Sequence, residues 1–127
     1  MEKTILLVDT NGEINEANKK ALECAGFQVA CVESAKEALD VLSSKKPSIM
    51  VTEIMLENND AGFALAHNAK GIYPDIHVIV LSDIVRKTGI LFELSSDEEK
   101  NWIKADQFIN KPISPENLAI KIKKLFN

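Results

Sequence analysis

Short apolar runs alternate along this chain with longer stretches whose apolar positions recur every three or four residues. Thr4 to Val8 is almost wholly apolar, as a strand covered on both faces should be. Asn11 to Ala25 then places Ile14, Ala17, Ala21 and Ala25 near helical spacing, and Gly26 supplies the stop. Gln28 to Val32 reads as the second strand. Ser34 caps a helix from Ala35 to Leu42, with Glu37 completing a capping box. Pro47 turns the chain into a third strand, Ser48 to Glu53. Asp60 to Lys70 predicts a helix burying Phe63, Leu65, Ala66 and Ala69, which Gly71 and Pro74 end. His77 to Ser82 is the fourth strand. Asp106 to Asn110 is the fifth, shorter and more polar, which suits an edge. Ser114 and Pro115 then open a last helix with Leu118, Ile122 and Leu125 as its buried stripe.

Strand, helix, strand in steady alternation predicts an α/β fold, a doubly wound parallel sheet with helices on both faces. Five strands and five helices in this order point to the flavodoxin-like (βα)5 arrangement, strand order 2-1-3-4-5. No repeat, low-complexity tract or linker divides residues 1–127, so a single domain is expected. One stretch fits less smoothly. Asp83 to Ala105 must supply the fourth helix but exceeds what a sheet-covering helix requires. Ser95 or Ser96, with Glu98 and Glu99, can cap a helix carrying Trp102 and Ile103. Ile90, Leu91, Phe92 and Leu94 are too apolar to leave in water, so they either fold back on the core or form a flap for a partner.

Composition narrows the function. With 46% hydrophobic and 27% charged residues the chain reads as soluble and globular. A net charge of -4 argues against nucleic acid, which calls for a concentrated basic surface. The one basic cluster, Lys121, Lys123 and Lys124, closes a helix, where cations complement the dipole. No apolar run approaches a membrane span and the start lacks a signal-peptide pattern, which predicts a cytoplasmic protein. Cys24 and Cys31 lack metal-ligand spacing and are expected to be buried, reduced thiols. His67 and His77 are isolated and expected at surface or edge positions.

The chemistry gathers at the strand ends. Ile5-Leu6-Leu7-Val8 closes on Asp9, Ser48-Ile49-Met50-Val51-Thr52 on Glu53, and Val78-Ile79-Val80-Leu81 on Ser82. Phe108-Ile109-Asn110 leads to Lys111-Pro112. In doubly wound sheets the ligand site lies at the carboxyl ends of the strands, where the strand order reverses. Acid, acid, hydroxyl and ammonium in this order resemble the receiver domain of bacterial two-component response regulators, and the resemblance covers the whole chain.

That resemblance implies a role for each position. Asp9 matches the first acid of a magnesium-binding pair, while Thr10 takes the second acidic position without a charge. Glu53 stands where the family carries its phosphoaccepting aspartate. Ser82 matches the switch hydroxyl, Phe108 the aromatic switch, and Lys111 the phosphate-site lysine, with Lys111-Pro112 resembling the family's cis peptide. Asp9, Glu53 and the Met55 carbonyl can still hold Mg2+, but more weakly; alternatively Asp9 simply pairs with Lys111. The loop Glu57-Asn58-Asn59-Asp60-Ala61-Gly62 lacks the usual proline-glycine, and Asp60 is either a surrogate acceptor or the cap of the third helix. The implied protein is not an enzyme. It is a divergent receiver that meets a sensor histidine kinase or a downstream effector through the fourth helix, fifth strand, last helix and the 83–105 segment. The alternative is a working phosphorelay receiver that accepts phosphate at Glu53 or a nearby acid. A flavodoxin-type flavin carrier shares the fold, but Asp9-Thr10-Asn11-Gly12-Glu13 is acidic where a phosphate-binding loop belongs.

Overall fold

Four of the apolar runs become parallel strands at the expected places. The computed structural model describes residues 3–53, 61–82, 106–110 and 113–126. In chain order these form β1 (Thr4–Val8), α1 (Gly12–Cys24), β2 (Gln28–Val32), α2 (Ala35–Ser44), β3 (Ile49–Thr52), α3 (Ala61–Ile72), β4 (His77–Ser82), β5 (Gln107–Asn110) and α4 (Pro115–Lys124). The sheet order is β2-β1-β3-β4-β5 and every pairing is parallel. Phe63, Ser82, Phe108 and Asn110 are described in backbone only, and the 83–105 segment, Asp60, Met55 and Lys111 lie outside the described residues.

Side-chain alternation along the strands splits the core in two. Ile5, Leu7, Ile49, Val51, Ile79 and Leu81 face Leu22 of α1 and Leu118, Ala119 and Ile122 of α4. Leu6, Val8, Met50, Val78 and Val80 face Ala38 and Leu42 of α2 and Leu65, Ala66 and Ala69 of α3. Both faces of the central strands are therefore covered, which explains why polar residues in these runs fall only at their ends. At the far edge, Asp106 fixes the entry to β5. Its carboxylate accepts from the Val78 N–H at 2.8 Å and from Lys70 Nζ at 2.7 Å, while its own N–H donates to the Val78 carbonyl at 2.8 Å.

Several helix ends follow the sequence closely. Ser34 Oγ accepts from the Glu37 N–H at 3.1 Å and donates to the Glu37 carboxylate, and Ser114 Oγ accepts from the Asn117 N–H at 3.1 Å. Gly26 has φ of 100°, the left-handed conformation that lets the chain leave α1. His67 is exposed and His77 opens β4 partly buried.

Four expectations need correction. Gly71 does not end its helix; α3 runs through it to Ile72, because a glycine is tolerated near a helix end at modest cost. α2 likewise runs to Ser44 rather than Leu42. On α1, Ala17 is exposed, and the buried stripe is Asn15, Asn18 and Leu22. Cys24 and Cys31 are exposed, not buried, because Cys24 closes α1 on its outer side and β2 is an edge strand open to water.

Cys31 nonetheless tucks its thiol against α1, where Sγ lies 3.6 Å from the Asn15 carbonyl. Loss of water around the sulfur pushes its pKa up, outweighing the opposing pull of Lys19. Below the ordinary thiol range both folded and unfolded chains stay protonated, so nothing changes. Above it the unfolded chain releases its proton first, and this contribution lowers stability as pH rises. Alkylation of Cys31 by iodoacetamide is expected to lag the same thiol in denatured protein throughout pH 8–10. Equal rates would show that the folded thiol sits in open water.

Candidate acidic site at the strand-order reversal

The register sets the site. Val8 is level with Thr52, and Thr52 with Val80, so Asp9 and Glu53 leave neighbouring strands side by side. β1 and β3 also flank the point where strand order reverses, the crevice in which such sheets take their ligands. The Glu53 N–H donates to the Val8 carbonyl at 2.9 Å and the Asp9 N–H to the Val32 carbonyl at 3.2 Å. Ladder bonding thus continues one residue past each strand and fixes both acid backbones.

Both acids are buried, Asp9 at 6% and Glu53 at 4% relative exposure, a condition that charged groups meet only with polar support. Asp9 has it locally. Its Oδ1 accepts from the Asn11 N–H at 2.9 Å. The Asn11 side chain in turn caps α1, accepting from the Glu13 and Ile14 N–H groups at 3.0 and 3.2 Å. One turn on, Asn15 Nδ2 donates to the Asp9 and Val32 carbonyls, each at 3.0 Å, tying the ends of β1 and β2 to α1. Thr52, fully buried, donates its hydroxyl to the Glu53 carbonyl at 3.0 Å.

Asp9, Asn15, Asn18, Thr52 and Glu53 line a cavity of about 10 Å³ floored by Leu7, Val51 and Leu81. Sequence reasoning missed Asn15 and Asn18 in this setting. Their signal was available: with Leu22 they fall at i, i+3 and i+7, one face of a helix. Thr10 is exposed. Ser82 ends β4 level with Asn110 of β5, so its backbone belongs to the same rim. Phe108 lies within β5, level with Val80. The structure therefore brings Asp9 and Glu53 together and sets the backbones of Ser82 and Phe108 on the neighbouring strands.

Asp9 and Glu53, both buried and both lining the crevice, would offer a divalent cation hard oxygen donors. Among the described residues no three acidic, histidine or cysteine side chains group as a metal site. The donor chemistry fits magnesium, with Asp9 and Glu53 as the residues that would hold it.

Comparison with known proteins decides the family. The model for the response regulator receiver domain matches residues 5–123. The chain belongs to that family. Among curated relatives, the phosphate regulon transcriptional regulatory protein PhoB of Pseudomonas aeruginosa is 32% identical over 95% of this chain and 50% of the relative. The transcriptional regulatory protein CssR of Bacillus subtilis is 31% identical over 98% of this chain and 52% of its own. The receiver thus spans about half the length of the curated relatives it matches. Among solved structures, a CheY-like receiver domain protein from Methanospirillum hungatei superposes with a TM-score of 0.81 at 26% identity, covering 98% of this chain and 94% of that one. The chemotaxis response regulator CheY4 of Vibrio cholerae, at 17% identity, shares the fold with a TM-score of 0.81 over 98% of this chain and 99% of its own. Receiver domains commonly bind Mg2+ at the phosphorylation site. No helix of the described residues is long and apolar enough to cross a membrane.

Proposed function

We propose that this receiver is a cytoplasmic, non-enzymatic signalling module that works by protein contact and is not phosphorylated in the usual way. The observation that carries the proposal is Glu53, buried at the end of β3 beside Asp9, with Thr10 exposed and uncharged at the second acidic position. Glutamate carries its carboxylate one methylene further from the backbone, about 1.5 Å. In-line attack needs reacting atoms near contact distance, and a displacement of this size costs on the order of a hundredfold. Magnesium, when bound, would screen repulsion between an anionic nucleophile and an anionic donor; Asp9, Glu53 and the Met55 carbonyl would hold it more weakly than a site with a third carboxylate.

Glu53 also extends its charge by one methylene toward where an acyl phosphate would place its oxygens, which supports reading it as a partial phosphomimic. The imitation is incomplete, because one negative charge stands for nearly two. A second reading, phosphoryl acceptance at Glu53 or a nearby acid within a phosphorelay, draws support from the same two acids at the ends of neighbouring strands. Under either reading the partner is a sensor histidine kinase or a downstream effector. It docks on the face of β5, α4 and the 83–105 segment; we take residues 1–127 as one domain, with 83–105 as an extended connection after β4.

The segment tests the contact mechanism. Replacing Ile90 and Phe92 with serine is expected to weaken partner binding about tenfold or more while leaving the melting temperature nearly unchanged, on the order of losing one or two apolar anchors. A large fall in melting temperature would assign both side chains to the core. Unchanged binding and unchanged melting would make the segment a tolerated insertion. In the same assay Glu53→Gln keeps length and removes charge; undiminished binding would reject the phosphomimic.

A further inference from the structure

The edge of the sheet farthest from β5 is β2, and among the described strands none pairs with its outer side. The Gln28 N–H donates to the Lys3 carbonyl at 2.9 Å, and the Val32 carbonyl accepts from the Asp9 N–H at 3.2 Å. Even-numbered residues therefore turn their main-chain groups toward β1, and Val29 and Cys31 turn theirs outward. Edge strands are usually blunted by a charge, a proline or a bulge. Gln28-Val29-Ala30-Cys31-Val32 holds no charged residue and no proline, and it pairs with β1 in unbroken register. Gln28, Ala30 and Cys31 are exposed. A groove of about 400 Å³ lies along this edge, with Glu23, Phe27, Val29, Ala30 and Lys45 in its lining. Its two banks differ in charge. Of the ionic groups acting on the Cys31 sulfur from α1, Glu16 and Glu23 oppose a single lysine, Lys19. Glu33 follows β2, and its Oε1 lies 3.8 Å from where a Cβ on Gly12 would stand, so it joins the α1 side. The opposite bank carries Lys45.

We propose that the β2 edge is a docking strand for an extended segment of a protein partner that carries lysine or arginine at alternate positions. The segment adds one more strand to the sheet, bonding the outward main-chain groups of Val29 and Cys31. Successive side chains of a strand point to opposite faces, so one alternate set lies over the α1 acids. The other set meets the α2 side, where Lys45 favours a neutral or acidic residue. The small exposed side chains of Ala30 and Cys31 let the added backbone approach closely. A second copy of this chain fits less well. The twofold that pairs Val29 with Cys31 sets the end of one α1 beside the start of the other, Glu23 against Glu16. The site lies at the opposite edge from β5 and does not involve Glu53, so the inference holds whether or not Glu53 accepts phosphate.

The test follows backbone amides of the intact receiver by NMR during titration with a short peptide, blocked at both ends, that alternates lysine with threonine. Shifts are expected at Val29, Cys31, Glu16 and Glu23, with slower hydrogen exchange at the Val29 and Cys31 amides. Cys31→Ser keeps the outward N–H and is expected to bind as the parent does. Cys31→Pro removes that donor without touching the ladder to β1, and is expected to weaken binding about fivefold or more. Where Cys31→Pro fails to fold, Cys31→Lys puts a like charge on the edge and is expected to act in the same direction. Equal binding of a peptide alternating glutamate with threonine would overturn the partner chemistry. Absence of binding, or shifts confined to Asp9 and Glu53, would reject the β2 site. Self-association of the free receiver through β2 would make a second copy the occupant and overturn the proposal. None of these readouts involves phosphate or the β5 face, so failure here is distinct from failure of the signalling proposal.

Discussion

Replacing Thr10 with aspartate in a Glu53→Asp background is expected to raise the rate of phosphorylation by a small phosphodonor about a hundredfold over the unaltered receiver. The two changes repair different faults. Glu53→Asp draws the carboxylate back by one methylene and restores the attack distance. Thr10→Asp adds an acid next to Asp9, so that three carboxylate side chains rather than two can share the ion. Glu53→Asp alone is therefore expected to recover only part of the gain, and to need more magnesium for it. Following product by intact mass over a magnesium titration separates the two effects. Full activity of the single variant at low magnesium would show that the charge at position 10 is not what limits the site.

Leu22→Ala is expected to cost about 3 kcal/mol, within the usual range for a buried leucine, and to lower the melting temperature by roughly 10 °C. The size follows from how α1 is held. Its buried residues are Asn15, Asn18 and Leu22, so one large apolar side chain anchors the helix to the sheet face shared with α4. Phe27, packed against Phe126 with ring centroids 5.4 Å apart, closes the same end of the core and limits how far it can collapse into the void. Ala17→Ser, on the exposed side, is expected to stay within about 0.5 kcal/mol of the parent. Thermal unfolding of both decides which stripe faces the core. A large loss at Ala17 with a small one at Leu22 would reverse this helix orientation.

That pair of variants also marks where the sequence was legible. The strands could be read because β1, β3 and β4 are covered on both faces, which leaves no polar residue inside the run. From there the topology, and the placement of Asp9 and Glu53 at the order reversal, followed. Caps were equally plain, since Ser34 and Ser114 act through local chemistry. α1 was misread for a physical reason: alanine is small enough to lie on either side of a helix, and the stripe was sought among apolar residues alone. In the fold, Asn15 is buried because two strand-end carbonyls await its amide, a partner the sequence cannot display. The cysteines were misjudged similarly. Apolar neighbours imply a core, but β2 is an edge, and neighbours in sequence say little about water beside an edge strand. Met55 and Lys111, assigned by resemblance, lie outside the described residues and stay proposals.

The most direct test of the central claim is intact mass spectrometry after incubation with a small phosphodonor and magnesium, run beside Glu53→Gln. The account predicts that the unaltered receiver keeps its mass, because its acceptor is displaced and its metal site lacks a third acid. A substantial population carrying one added phosphoryl group, lost on Glu53→Gln, would contradict it and make Glu53 a working acceptor.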